Sequence, residues 1–136
     1  MDLNRLRTRR YTPTFNGNRD DDESLVVIHR TLRRSWAVNY IDYQEVIKPL
    51  SETAQDEAAT TEARKAAQSE LIETAAKFRL DFLKDHVTAV EGFKDGEKDL
   101  GLTEFFALCD EESDLGQEVL DYISSGSEFT EDDSKN

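Results

Sequence analysis

One stretch, Glu62 to Phe93, limits what this chain can fold into more than any other. Advancing about 100° per residue from Leu71 puts Leu71, Ala75, Phe78, Phe82 and Ala89 at one azimuth, with Ile72, Leu83, Val87 and Val90 beside them. Glu70, Glu73, Lys77, Asp81, Lys84, Asp85 and Thr88 take the other side. The apolar arc covers about 200°, against roughly 100° for an ordinary surface helix, so the pattern predicts a helix gripped from two sides. At about 1.5 Å per residue it spans about 45 Å. Gly92 stands where a glycine ends a helix, and Phe93 is the apolar residue after it. Arg79 falls in mid-arc, so it has to snorkel, pair with a carboxylate or mark a break.

Shorter elements flank this helix. Tyr11 to Phe15 reads as extended, because Pro13 biases Thr12 to the β or polyproline region. Asn16-Gly17-Asn18 supplies turn chemistry. Asp20 to Glu23 is a run of carboxylates, and successive residues do not converge on one cation, so it reads as a solvated loop. Leu25 to His29 is a β-rich run, which completes a small hairpin over 11–30. Leu32, Trp36, Tyr40, Tyr43 and Ile47 recur at helical spacing and are assigned to the core, with Pro49 ending that helix. Residues 51–61 read as a loose connector, after which Thr60 or Thr61 caps the central helix. Asp95, Glu97 and Asp99 alternate as in an EF-hand loop. Leu100 stands where that loop needs glycine and Phe106 where it needs glutamate, so the segment reads as a polar turn. Leu102 to Cys109 forms a short helix. A last helix capped by Ser113 or Asp114 turns Leu115, Val119, Tyr122 and Ile123 inward.

The fold class expected is mainly α with a small N-terminal β-hairpin, an α+β chain in which a long central helix is packed by shorter ones. A single body over 11–127 is expected between a basic arm, 1–10, and an acidic disordered tail, 128–136.

The chemistry expected is sparse. Net charge is −13 and uneven: residues 1–40 hold eight basic and five acidic side chains, residues 41–136 nine basic and twenty-five acidic. That argues against nucleic acid as the main partner and favours solubility, a basic protein partner or both, with a salt-adapted host as a third reading. No apolar run is long enough for a membrane helix, and no apolar segment follows the basic N-terminus as a signal peptide requires, so the chain reads as cytosolic. Cys109 lies in an apolar run and reads as a buried, inert thiol. His29 and His86 are the only histidines, each read as a satisfied structural side chain rather than a metal ligand. No phosphate loop, dinucleotide fingerprint or nucleophile motif is present. The expectation is therefore no catalytic residue, no cofactor, no metal and no enzyme.

Tyr11-x-Pro13-x-Phe15-x-Gly17-Asn18-Arg19, an acidic stretch and the strand Leu25 to Ile28 resemble the opening of the tail assembly chaperones of tailed bacteriophages. His86-Val87, the following Gly- and Asp-containing turn, a last helix and the closing Lys135-Asn136 are similar to the later part of that family. Residues 30–43 and the alanine-rich middle depart from it. The resemblance implies a chaperone of the host cytoplasm, absent from the mature virion, that binds and solubilises the tape measure protein and helps recruit the tail tube protein. It also implies a longer frameshifted product made near the end of this reading frame. Phe78, Phe82, Phe93, Phe105 and Phe106 are the candidate partner-binding residues, and a homo-oligomer is compatible with the sequence. Two alternatives stand beside this one: a virion structural protein such as a head–tail connector or minor tail component, and an acidic adaptor that binds a basic protein as a nucleic-acid mimic.

Overall fold

The computed structural model describes residues 8–126; the expectations for the rest of the basic arm and for the acidic tail lie outside them. The elements run β1 (Thr8–Tyr11), a 3₁₀ turn (Phe15–Asp20), β2 (Val26–Arg30), α1 (Ser35–Gln55), α2 (Thr61–His86), β3 (Val87–Glu91), β4 (Lys94–Asp95), β5 (Lys98–Asp99), α3 (Leu102–Glu111) and α4 (Ser113–Gly126). The fold is mainly α with a small N-terminal hairpin. Its contacts divide the chain into two compact units, one of residues up to 33 and from 79 onward, the other of residues 34–78, with the boundary inside α2 between Phe78 and Arg79.

In the first unit β1, β2 and β3 form an antiparallel sheet in that order. The hairpin begins earlier than expected, at Thr8, so Arg9 and Arg10 belong to the sheet rather than to a frayed arm. The opening motif proves to be a loop tied by Asn18, whose Nδ2 donates to the Pro13 and Leu25 carbonyls at 2.8 and 3.0 Å while Oδ1 accepts from Leu25 N–H at 2.8 Å. Asn16 and Gly17 both take left-handed φ to make the turn. Glu118 of α4 then holds this loop, accepting from the Tyr11 hydroxyl at 2.6 Å, Thr14 N–H at 2.7 Å and the Thr14 hydroxyl at 3.0 Å. Burial pushes the Glu118 carboxyl up, but hydrogen bonds from Tyr11, Thr14 and Phe15 outweigh it and hold it below the ordinary carboxylate value. Tyr11 also stacks on Tyr122, ring centroids 3.9 Å apart. Val27, Phe82, Leu83, Val87, Phe105, Leu115, Val119 and Ile123 make the core of this unit.

The central helix stops at His86, seven residues before the expected end. Val87, Thr88 and Val90 are β-branched and fit a pleated surface. They find a partner in β2, with Val27 opposite Val90, Ile28 opposite Ala89 and His29 opposite Val87 across a bulge. Gly92 therefore closes a strand rather than a helix. Its φ is 67°, and a Cβ there would run into the Ser24 carbonyl oxygen. Arg79 lies against α4: its Cδ is 3.2 Å from where a Cβ on Gly116 would stand, so its stem covers the close approach of that helix. The polar turn after Phe93 is the two-residue loop of the β4–β5 hairpin, in which Lys94 faces Asp99 and Asp95 faces Lys98.

His86 is 0% exposed. Its Nδ1 bonds the Phe82 carbonyl at 2.9 Å and its Nε2 accepts from Arg33 N–H at 3.0 Å. A carbonyl can only accept and a backbone N–H can only donate, so the ring is neutral with its proton on Nδ1. His29 is 3% exposed, with Nδ1 on the Arg30 carbonyl at 2.8 Å and its ring edge against Tyr122.

The second unit is an antiparallel helical hairpin. Residues 51–55 continue α1, so the connector expected over 51–61 shrinks to residues 56–60. Pro49 lies inside α1 instead of ending it. It sits on the exposed side, and the half-buried Leu50, Thr53 and Ala54 beyond it hold the last turns in place. Thr60 caps α2, its hydroxyl accepting from Ala63 N–H at 3.0 Å. Phe78 stacks on Tyr43 at 4.2 Å and meets Trp36 edge-on at 5.5 Å, which clamps the open end of the hairpin.

Two outcomes follow for stability. Gly92→Ala meets both a positive φ and a carbonyl in the way, and should cost more than about 1 kcal/mol, read as a lower urea midpoint with unchanged slope. Burial, first of all, lowers the pKa of both His86 and His29 below 6.5. The unfolded chain then takes up protons first as pH falls, so stability is full above about pH 6.5 and declines below it until the folded-state pKa values are passed. Urea midpoints that stay flat from about pH 8 to about pH 5 would show that neither ring is held neutral.

Candidate functional site

Of the five phenylalanines expected to meet a partner, Phe93, Phe105 and Phe106 pack on one another, with Phe105–Phe106 centroids 5.9 Å apart, while Phe78 belongs to the other unit. Phe82 is 3% exposed and stacks on His86 at 4.1 Å, and Phe105 is 0% exposed. Both are core, and neither can touch a partner without unfolding. Phe93 packs edge-on to Phe105 at 6.3 Å and is half-buried, while Phe78 is committed to the aromatic clamp of the helical hairpin. Phe93 lines a hollow of about 210 Å³ with Pro13, Phe15, Leu25 and Leu108, and Phe106 reaches another. It lines a shallow hollow of about 330 Å³ with Leu80, Thr103 and Ala107, rimmed by Lys84 and Asp110.

The apolar side chains that do face outward are of another kind. Val38 is 61% exposed, Ile41 55%, Val46 54% and Ile72 72%. All four belong to the hairpin of residues 34–78, and three sit on α1. Ile72 was expected beside the apolar arc, and Tyr40 in the core, but Tyr40 is half exposed. Leu32 precedes α1 rather than opening its inner face. The reason is geometric: in this unit α1 packs through Trp36 and Tyr43, and one neighbouring helix covers only one stripe of it. A signal was present in the sequence. Val38 and Ile41 are one turn apart, and Val46 is two turns from Val38, on the azimuth opposite Trp36, Tyr43 and Ile47. A helix apolar on opposite sides has a second surface to cover.

Asp42 and Glu45 are interleaved with these aliphatic residues, and Glu52 lies further along the same side; all three are exposed. Among the described residues the ion pairs are Arg10–Glu91, Arg33–Asp85 and Lys94–Glu23, none of them on α1. The face is thus aliphatic with three carboxylates, and Arg34 and Lys48 stand at its margin without an ion pair among the described residues.

Groups with conventional reactivity are occupied or sealed. Burial pushes the Cys109 thiol up to about 12, so it stays protonated and unreactive at neutral pH. Both ring nitrogens of His86 are bonded within the fold. Among the described residues no three His, Cys, Asp or Glu side chains are grouped to hold a metal ion, and no helix is long and apolar enough to cross a membrane. Comparison with protein-family models, with curated proteins and with solved structures finds no match to this chain.

Core and surface can be separated by substitution. Phe82→Ala should cost about 3–5 kcal/mol, whereas Val38→Ser and Ile72→Ser should stay within about 0.5 kcal/mol in chemical denaturation. Comparable losses at Ile72 and Phe82 would place Ile72 in the core.

Proposed function

We propose that this protein is an assembly chaperone of a tailed bacteriophage, which covers exposed apolar helix faces of the tape measure protein in the host cytoplasm and hands it to tail tube subunits. The single observation that carries the reading is the set of exposed aliphatic side chains on the helical hairpin, Val38, Ile41, Val46 and Ile72. A long helical client with uncovered apolar faces aggregates unless something lies against them. An unpartnered helix face offers the helix-on-helix mode for doing so. A few half-exposed aliphatic residues with no deep pocket give a grip that can also let go, which a transient holder requires. The acidic exterior keeps such a complex in solution. Resemblance to the chaperone family adds support. Its opening motif has a structural use here, since Pro13 and Asn18 build the loop that Glu118 secures.

Coexpression with the neighbouring open reading frames, followed by pull-down and mass spectrometry, tests this. The expected outcome is a long helical protein that comes down with the chain, is insoluble alone, and is lost when Val38, Ile41 and Val46 are together replaced by serine. A chain that captures no such protein and is instead found in purified particles is a virion structural protein, and the chaperone reading then fails.

A further inference from the structure

We infer that the outward face of α1 selects client helices whose apolar stripe is bordered by lysine or arginine. This rests on the chaperone reading above and adds the charge of the client segment.

Three features of the face point the same way. First, the aliphatic residues alternate with carboxylates. Val38, Asp42 and Val46 follow one another at four-residue steps, and Ile41 and Glu45 form the adjacent row. A client side chain lying between Val38 and Val46 therefore has Asp42 beside it. Second, Asp42, at the centre of the strip, has no basic residue three or four positions away on α1, although Lys48 stands three beyond Glu45 at the margin. Asp42 and Glu45 are three residues apart on one helix, an unfavourable like-charge spacing, and neither enters an ion pair among the described residues. Third, Pro49 lies on the same side and has no N–H, so the Glu45 carbonyl loses the donor that a helix would supply four residues on. The face thus offers two carboxylates and a backbone acceptor around a strip of Val and Ile, with Asp42 as the charge that no neighbour on the helix offsets. A client with lysine or arginine beside its apolar stripe satisfies both demands. A client flanked by glutamate adds repulsion to the same hydrophobic gain.

The test uses the full chain and two synthetic amphipathic helical peptides that share one leucine stripe, one bordered by lysine and the other by glutamate. Fluorescence anisotropy should show the lysine peptide binding at least about tenfold more tightly, the factor that corresponds to about 1.4 kcal/mol, with the margin shrinking as salt screens the charges. Asp42→Asn with Glu45→Gln should abolish the margin while leaving the leucine stripe bound. Ile41→Ser with Val46→Ser should abolish binding of both peptides, with circular dichroism and melting unchanged because these side chains are more than half exposed. Equal binding of the two peptides, or a margin that survives Asp42→Asn with Glu45→Gln, overturns the proposal. So does a wild-type homodimer in light scattering that Ile41→Ser with Val46→Ser dissociates, because a second copy then occupies the face. The coexpression experiment is read separately. A client solubilised equally well by the Asp42→Asn, Glu45→Gln chain removes the charge selection and leaves the chaperone reading intact.

Discussion

The fold of the larger unit turns on one buried imidazole. The side chain of His86, the last residue of α2, turns back on its own helix, where Nδ1 is a second donor to the Phe82 carbonyl beside the backbone N–H four residues on. Strand β3 begins at the very next residue. The same ring accepts the Arg33 N–H through Nε2, which fixes the segment leaving β2. β2 is the middle strand, so one neutral side chain ties the last turn of α2 to the exit of the central strand. Leaving a buried polar group of this kind unsatisfied costs about 1–3 kcal/mol, a large fraction of what a chain this size has to spare. Glu118 plays the complementary part at the other edge, tying the β1–β2 connection to α4 through both the backbone and side chain of Thr14.

This arrangement explains which parts of the fold could be read from the sequence. The strand at Val26–Arg30, the cap at Thr60 and the inner face Leu115, Val119 and Ile123 follow from local pattern and local chemistry. The end of α2 does not. Val87, Ala89 and Val90 fit the helical arc by azimuth as well as they fit a strand, since five residues are too few to separate the two periods. What decides is pairing with β2, some sixty residues away in sequence. Pro49 misleads for a related reason. A proline usually ends a helix, but here the side chains beyond it are half-buried and outweigh the lost hydrogen bond. At the candidate site, size was the wrong guide. The phenylalanines are among the largest apolar residues of the chain, and two of them are sealed, while smaller Val and Ile residues are the exposed ones.

Burial is distributed unevenly, and the proposed function draws on that unevenness. Between residues 34 and 78 the buried hydrophobic side chains are Trp36 and Ala67, neither of them fully sealed, whereas the other unit buries Val27, Phe82, Leu83, Val87, Phe105, Cys109, Leu115, Val119 and Ile123. The hairpin is held by helix propensity, by the Thr60 cap and by the aromatic clamp around Phe78. The cap and each aromatic pair are worth about 1 kcal/mol, and fewer buried apolar side chains stand behind them than in the other unit. A partner that covers Val38, Ile41 and Val46 adds apolar burial to the unit that has least of it. Binding and ordering of the hairpin are then linked, since anything that binds the folded form stabilises it by mass action. The other unit does not need a partner to complete its core. On the proposed reading, the binding face lies on the less stabilised unit rather than in the core, so release of a client would cost the hairpin its added order without opening the sheet and helices of the other unit.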